Sequence, residues 1–398
     1  MVGTSNHRSR FRLRAERPRV RTWSVLFSVS MAVAGCGGAL PYFQPLSQDY
    51  DGGDWNQAGG GHTGRSYRPL GIEPPLRLLW EQTMDAPPLG GSIVSGQLVL
   101  QMTKRSSLYS FDLGTGEELG KRGYGELPCA APIIAGPAAG VLIVAEFSPN
   151  PLLKAVSRVD GSTLWSRGQV NVCADLVVHA DTVVIVDEEG TVAALGAMEG
   201  DVIWELRDQQ RYSSGPAVFE NLVFVGDTVG AVRALRLVDG EEKWHTSLGA
   251  SLRTRPAVSS KGVFLGTGAG EVVALSTATG DETWRTKLGG LSTPGFALSD
   301  DILVTGSVDR HVYGLDVDSG DILWRFETNG VVRGTPVSTE SVVYCGSGDG
   351  FIYALELGSG SLLWKYRLDG PALAPLALGP RSLIVATETG SIYVFGRG

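Results

Sequence analysis

A chain of 398 residues with 43% hydrophobic and 19% charged residues has the material for a large folded body, and its 54 glycines supply many turns. It carries 34 Lys+Arg against 42 Asp+Glu, and the first 35 residues hold seven of the arginines and one glutamate, so 27 basic residues face 41 acidic ones in the remainder. A surface that acidic makes nucleic acid a poor partner.

Residues 1–35 read as an export signal. Arg8, Arg10, Arg12, Arg14, Arg17, Arg19 and Arg21 form a basic region, and residues 23–34 form an apolar stretch too short to span a bilayer comfortably. Val33-Ala34-Gly35-Cys36 matches the bacterial lipobox, which makes Cys36 the expected lipidation site. The absence of an adjacent Arg-Arg pair argues for the general secretory route. Residues 36–75 are rich in glycine and proline and read as a tether, with Trp55 placed to dock on the folded body. Residues 76–83 (LRLLWEQT) have the text of a single outer strand with nothing before it.

From there the chain repeats itself. Trp165, Trp204, Trp244, Trp284, Trp324 and Trp364 follow one another at 39 or 40 residues, each four residues after a glycine (Gly161, Gly200, Gly240, Gly280, Gly320, Gly360). A small residue stands six before each glycine: Ala155, Ala194, Ala234, Ala274, Gly314 and Ala354. Upstream, Trp80 keeps the period, and Gly120 occupies the tryptophan slot between Trp80 and Trp165, which makes eight slots. Within one period, residues 335–367 alternate short apolar, β-branched runs with Gly/Asp/Ser turns and spell four strands. No sustained i, i+3, i+4, i+7 pattern occurs, so the repeat is all-β. Four antiparallel strands per repeat predict a β-propeller of eight blades; a parallel β-helix has rungs roughly half this length or less. Residues 373–396 supply three strands without a fourth, and residues 76–83 complete them, closing the ring and placing Trp80 in the eighth slot. The tryptophans fall on the outermost strand and are expected to lie against a glycine turn of a neighbouring repeat.

The pattern AxDxxTGxxxW, seen at residues 274–284 and, with Asp316 kept, at residues 314–324, resembles the tryptophan-docking repeat of pyrroloquinoline-quinone (PQQ) type propellers over about residues 76–398. The resemblance implies the fold more than the function, because enzymes, assembly factors and sensors share it. The quinone enzymes of that type resemble a larger chain with adjacent cysteines and calcium-binding carboxylates. Here no Cys-Cys pair occurs, and Asp227, Asp309 and Asp349 recur at one turn position, which suits hairpins. His62, His179, His245 and His311 read as isolated surface or turn histidines, and no metal-ligand spacing, GxSxG, Walker loop or HExxH is present. The chain therefore reads as a non-enzyme with no cofactor and no metal. A ligand-binding propeller, enzyme or sensor, is the alternative.

Export, lipidation and an eight-bladed propeller together resemble the propeller lipoprotein of the outer-membrane β-barrel assembly machinery. That resemblance implies a scaffold facing the periplasm from the outer membrane, a monomer within a complex, with β-barrel assembly subunits as protein partners. Arg211, Arg253, Arg255 and Arg333 lie in segments leading from one repeat into the next and form the expected partner-binding group; Ser251-Leu252-Arg253 resembles the Ser-Leu-Arg loop by which that lipoprotein engages its partner. Solvated loop arginines are the alternative. Repeat alignment also places Cys129 and Cys173 at the same site of adjacent blades, where a disulfide is geometrically possible and two free thiols are the other outcome. Cys345 reads as a buried small hydrophobe.

Overall fold

The repeat unit's pattern of short apolar runs and turns becomes a four-stranded antiparallel sheet, and it does so eight times. The structure, a computed structural model, describes residues 55–57, 59–69, 71–124, 130–136, 140–146, 150–252, 254–292 and 295–397. The chain falls into two compact units, residues 1–38 and 39–398, and every described residue belongs to the second. The expected export signal, Cys36, Cys129 and Arg253 lie outside the described residues.

Blade four shows the plan. Ala217–Phe219 is the inner strand, followed outward by Leu222–Gly226, Ala231–Arg236 and Glu242–Ser247, each hydrogen-bonded to the one before. The burial pattern of the outer strand, with Trp244 its one buried residue, is the same in the strands holding Trp165, Trp204, Trp284 and Trp324. The hydrophobic cores form between blades: Val225 and Leu235 of blade four pack with Val184 and Trp204 of blade three, while Ala217 and Phe224 pack with Val258 and Leu265 of blade five. A sheet buried on both faces this way needs apolar residues at nearly every position of its two middle strands, which explains their continuous rather than alternating hydrophobic text.

The ring closes as the fragments at 76–83 and 373–396 predict. Leu76–Thr83 lies antiparallel to Ser391–Arg397, from Leu76 opposite Arg397 to Thr83 opposite Ser391, and becomes the outer strand of blade eight. In every blade the outer strand pairs with a register shift beside the small residue or, in blade eight, beside Trp80. Such bulges twist an exposed edge and make it a poorer template for another strand.

Candidate functional site

Each inner strand is only two or three residues long and is paired on one side, so its other edge turns backbone amides toward the axis of the ring. The residues at this edge are one position repeated eight times: Val94, Ile134, Val178, Val218, Val258, Leu298, Ser338 and Leu378. A single segment, residues 55–68, meets them in order. Val94 N–H donates to Trp55 O (3.0 Å), Val94 O accepts from Trp55 N–H in return, and Ile134 N–H donates to Asn56 O. Val178 N–H donates to Gln57 Oε1 at 2.9 Å. Val218, Val258, Leu298 and Ser338 donate to the carbonyls of His62, Thr63, Arg65 and Ser66 at 2.7–3.0 Å. Arg68 then donates from Nη1 to Leu378 O at 3.1 Å. The segment is a strap that makes one circuit of the ring and bonds every blade.

The strap's local sequence fits this path. Gly60 has φ +76°, and a Cβ there would fall within 2.7 Å of the Trp55 ring; Gly64 has φ +66°, and its Cβ would fall 2.3 Å from Pro256 O. Both positions need glycine. Trp55 is 2% exposed and joins the core shared by blades seven, eight and one, along with Ile72. Beyond the strap, Tyr344 O–H donates to Ile72 O at 2.5 Å and Ser341 Oγ donates to Glu73 at 3.0 Å, carrying the chain from the inner edge toward Leu76 at the rim. The tether expected over residues 36–75 is therefore built into the ring from Trp55 onward. Glycine and proline there serve turns and close approach rather than mobility.

Charge is concentrated under the middle of the strap. Arg255 is 6% exposed; its Nε donates to Pro216 O and its Nη2 to Gly61 O, both at 2.9 Å. Burial brings its guanidinium down to about 10, against the opposing field of Asp175. Desolvation raises the Asp175 carboxyl above the ordinary range, while Arg255 pulls it back. His62 and His179 meet edge to face with ring centroids 4.4 Å apart. Burial, then His179, then Arg255 lower the His62 imidazole to about 4, so it is neutral near pH 7.

These positions correct two expectations. Arg255 is an internal clamp on the strap and not a surface contact for a partner, because its guanidinium is turned inward to backbone carbonyls. His62 and His179 are not isolated: the strap's circuit brings together two residues far apart in the sequence. Arg211 and Arg333 are exposed, in the connections into blades four and seven, so they do not adjoin one another. The hairpin acids are occupied locally. Asp227 Oδ1 accepts from the amides of Val229, Gly230 and Ala231, while Asp309 and Asp349 accept from the hydroxyls of Tyr313 and Tyr353. No cluster of three or more metal-ligating side chains occurs among the described residues.

At the rim, Trp80, Trp165, Trp204, Trp244, Trp284 and Trp324 each lie on the turn glycine of the next blade, from Gly116 to Gly360, where a Cβ would overlap the indole. Each indole N–H donates to the carbonyl three residues before that glycine, at 2.7–3.0 Å. Trp364 departs from this pattern. Blade eight takes its outer strand from Leu76–Thr83, so no hairpin joins its third and fourth strands and no turn glycine receives the ring, which packs on Phe395 at 5.5 Å instead. Cys173 is disulfide-bonded and Cys345 is buried and free.

A family model described as outer membrane protein assembly factor BamB matches residues 104–261, 190–293 and 268–398. No curated protein sequence matches the chain. Among solved structures, BamB from Moraxella catarrhalis is similar at 17% identity and TM-score 0.67, covering 81% of this chain and 99% of its own. A europium-containing methanol dehydrogenase is similar at 14% identity and TM-score 0.71, covering 86% and 98%. A quinohemoprotein alcohol dehydrogenase from Pseudomonas putida HK5 is similar at 12% identity and TM-score 0.71, covering 87% and 80%. At these identities the likeness is one of fold.

Proposed function

The chain belongs to the PQQ-repeat propeller family described as outer membrane protein assembly factor BamB, and from that premise we propose that it is a non-catalytic scaffold for protein partners at the cell envelope. In this reading residues 1–35 direct export, Cys36 carries the lipid, and the propeller works in the periplasm beneath the outer membrane with β-barrel assembly subunits.

The observation that carries the reading is the strap. The axis of a propeller is where its loops and inner strands converge, and here the chain's own residues 55–68 bond the inner edge of every blade. The exposed loops and outer strands around the ring suit contact with other proteins. The quinone-enzyme alternative draws on the two dehydrogenase folds, but the residues present do not fit a quinone of that kind. No adjacent cysteines occur in the sequence, and Asp227, Asp309 and Asp349 belong to three different blades, each accepting hydrogen bonds from its own hairpin.

The test is an affinity pull-down of the tagged full chain from crosslinked envelopes. Recovery of β-barrel assembly subunits is the expected result, and their reproducible absence overturns the reading. Charge reversal at the exposed Arg211 and Arg333 is expected to reduce that recovery severalfold; equal recovery removes these arginines from consideration. Calcium-dependent dye reduction with added PQQ would instead establish the enzyme.

A further inference from the structure

We infer that His62, packed on His179, is a proton-operated latch, holding the strap in the ring when neutral and releasing its middle section when protonated. Three groups able to carry positive charge converge there from three parts of the chain: His62 on the strap, His179 at the end of the inner strand of blade three, and Arg255 in the connection into blade five. Among the described residues, the carboxylate whose charge acts on Arg255 is that of Asp175. Arg65, the next charged residue along the strap, is already paired with Asp300 at 2.9 Å.

With the His62 imidazole neutral, its edge-to-face contact with the His179 ring at 4.4 Å is favourable. When His62 takes up a proton, its imidazolium is held at contact distance from the His179 ring and beside the buried guanidinium of Arg255. A charged His62 beside the Arg255 guanidinium is repelled by it, and in a partly buried site this repulsion is only partly screened. The cheapest escape is local. Residues 59–64 hold the ring through few bonds, from the amides of Val218 and Val258 to the carbonyls of His62 and Thr63 and from Arg255 to Gly61, whereas the outer sheets keep their own ladders.

The sign follows from the protonation of each state. A His62 imidazole held near 4 when docked and returning to about 6.5 when free means that the released strap binds more protons. Docking is therefore fully favoured above about pH 6.5 and weakens steadily as the pH falls toward about 4. Full linkage would shift the opening equilibrium by up to two orders of magnitude at pH 4.5. Partial hydration of the pair reduces this to on the order of tenfold.

Hydrogen exchange on the intact chain tests the latch. Protection of peptides from residues 55–68, corrected for intrinsic exchange, is expected to fall about tenfold between pH 7 and pH 4.5, while the outer strand Val202–Arg207 keeps its protection. In a His62→Gln, His179→Gln double variant the drop should vanish, since the bond from Val218 uses the His62 backbone carbonyl and survives the substitution. Unchanged strap protection in the natural chain, an equal fall in the outer strand, or a parallel fall in the double variant each overturns the latch.

Discussion

Trp244 illustrates how much one side chain does in this ring. Its indole covers Gly280 of the next blade, donates to Thr277 O at 3.0 Å and stacks at a tilt on Phe224 at 5.8 Å, while only 8% of its surface is exposed. Ala234 faces it across the strand pair, which is why the repeat demands a small residue there. Trp244→Ala is expected to destabilise the chain by about 3 to 5 kcal/mol in denaturant unfolding, through the lost ring and its cavity. Trp364→Ala should cost clearly less, because that ring is half-buried and has no glycine turn beneath it. Equal losses at the two sites would show that docking on the glycine contributes little. These rim residues were legible in the sequence because period and residue type coincide. Arg255 was not: a loop arginine that turns inward has the same sequence context as one that turns out, and only the position of the Gly61 and His62 carbonyls distinguishes them.

Among the elements, the sequence was clear where strands are long and silent where they are short. Five- and six-residue runs such as Val342–Gly346 and Phe351–Glu356 announce themselves, whereas the inner strand Val337–Ser338 has two residues and is recognised through its neighbours. The strap was concealed for another reason. Its bonds use backbone atoms of residues whose composition signals mobility, and nothing in Gly59, Gly60 or Gly64 reveals that eight waiting strand edges lie around them. The disulfide belongs at this scale as well. With Cys173 bonded and the Cys345 thiol pushed up by burial and left free, peptide mapping of the non-reduced protein is expected to join the Cys173 and Cys129 peptides and to find Cys345 alkylated only after unfolding. Reduction should then cost roughly 3 to 4 kcal/mol on the chain-entropy model for a loop of about 44 residues. A Cys173 peptide joined to Cys36 instead would refute the inter-blade bridge.

For the molecule as a whole, closure is made twice, at the rim and at the axis, by one continuous stretch of chain. Leu76–Thr83 completes blade eight and sends Trp80 onto Gly116 of blade one, which links the last blade to the first through both a sheet and a docked indole. Residues 55–68 tie the same ring from within, and Trp55 and Ile72 enter the one core that spans blades seven, eight and one. The two ties differ in kind. Losing the rim strand exposes the full edge of Ser391–Arg397 and removes a tryptophan from a blade junction, so the ring has no seam left to hold. Losing the strap leaves all eight sheets and six docked tryptophans in place, and removes the bonds at the inner edges together with Trp55 and Ile72 from one core. Three truncations separate these roles. A chain starting at Trp55 should melt as the full protein does. One starting at Leu76 should melt at lower temperature but still cooperatively, and one starting at residue 84 should lose the cooperative transition in circular dichroism and scanning calorimetry. If the chain starting at residue 84 melts with the same sharpness and midpoint as the one starting at Leu76, the seam between blades seven, eight and one is held by something other than the strand that supplies Trp80.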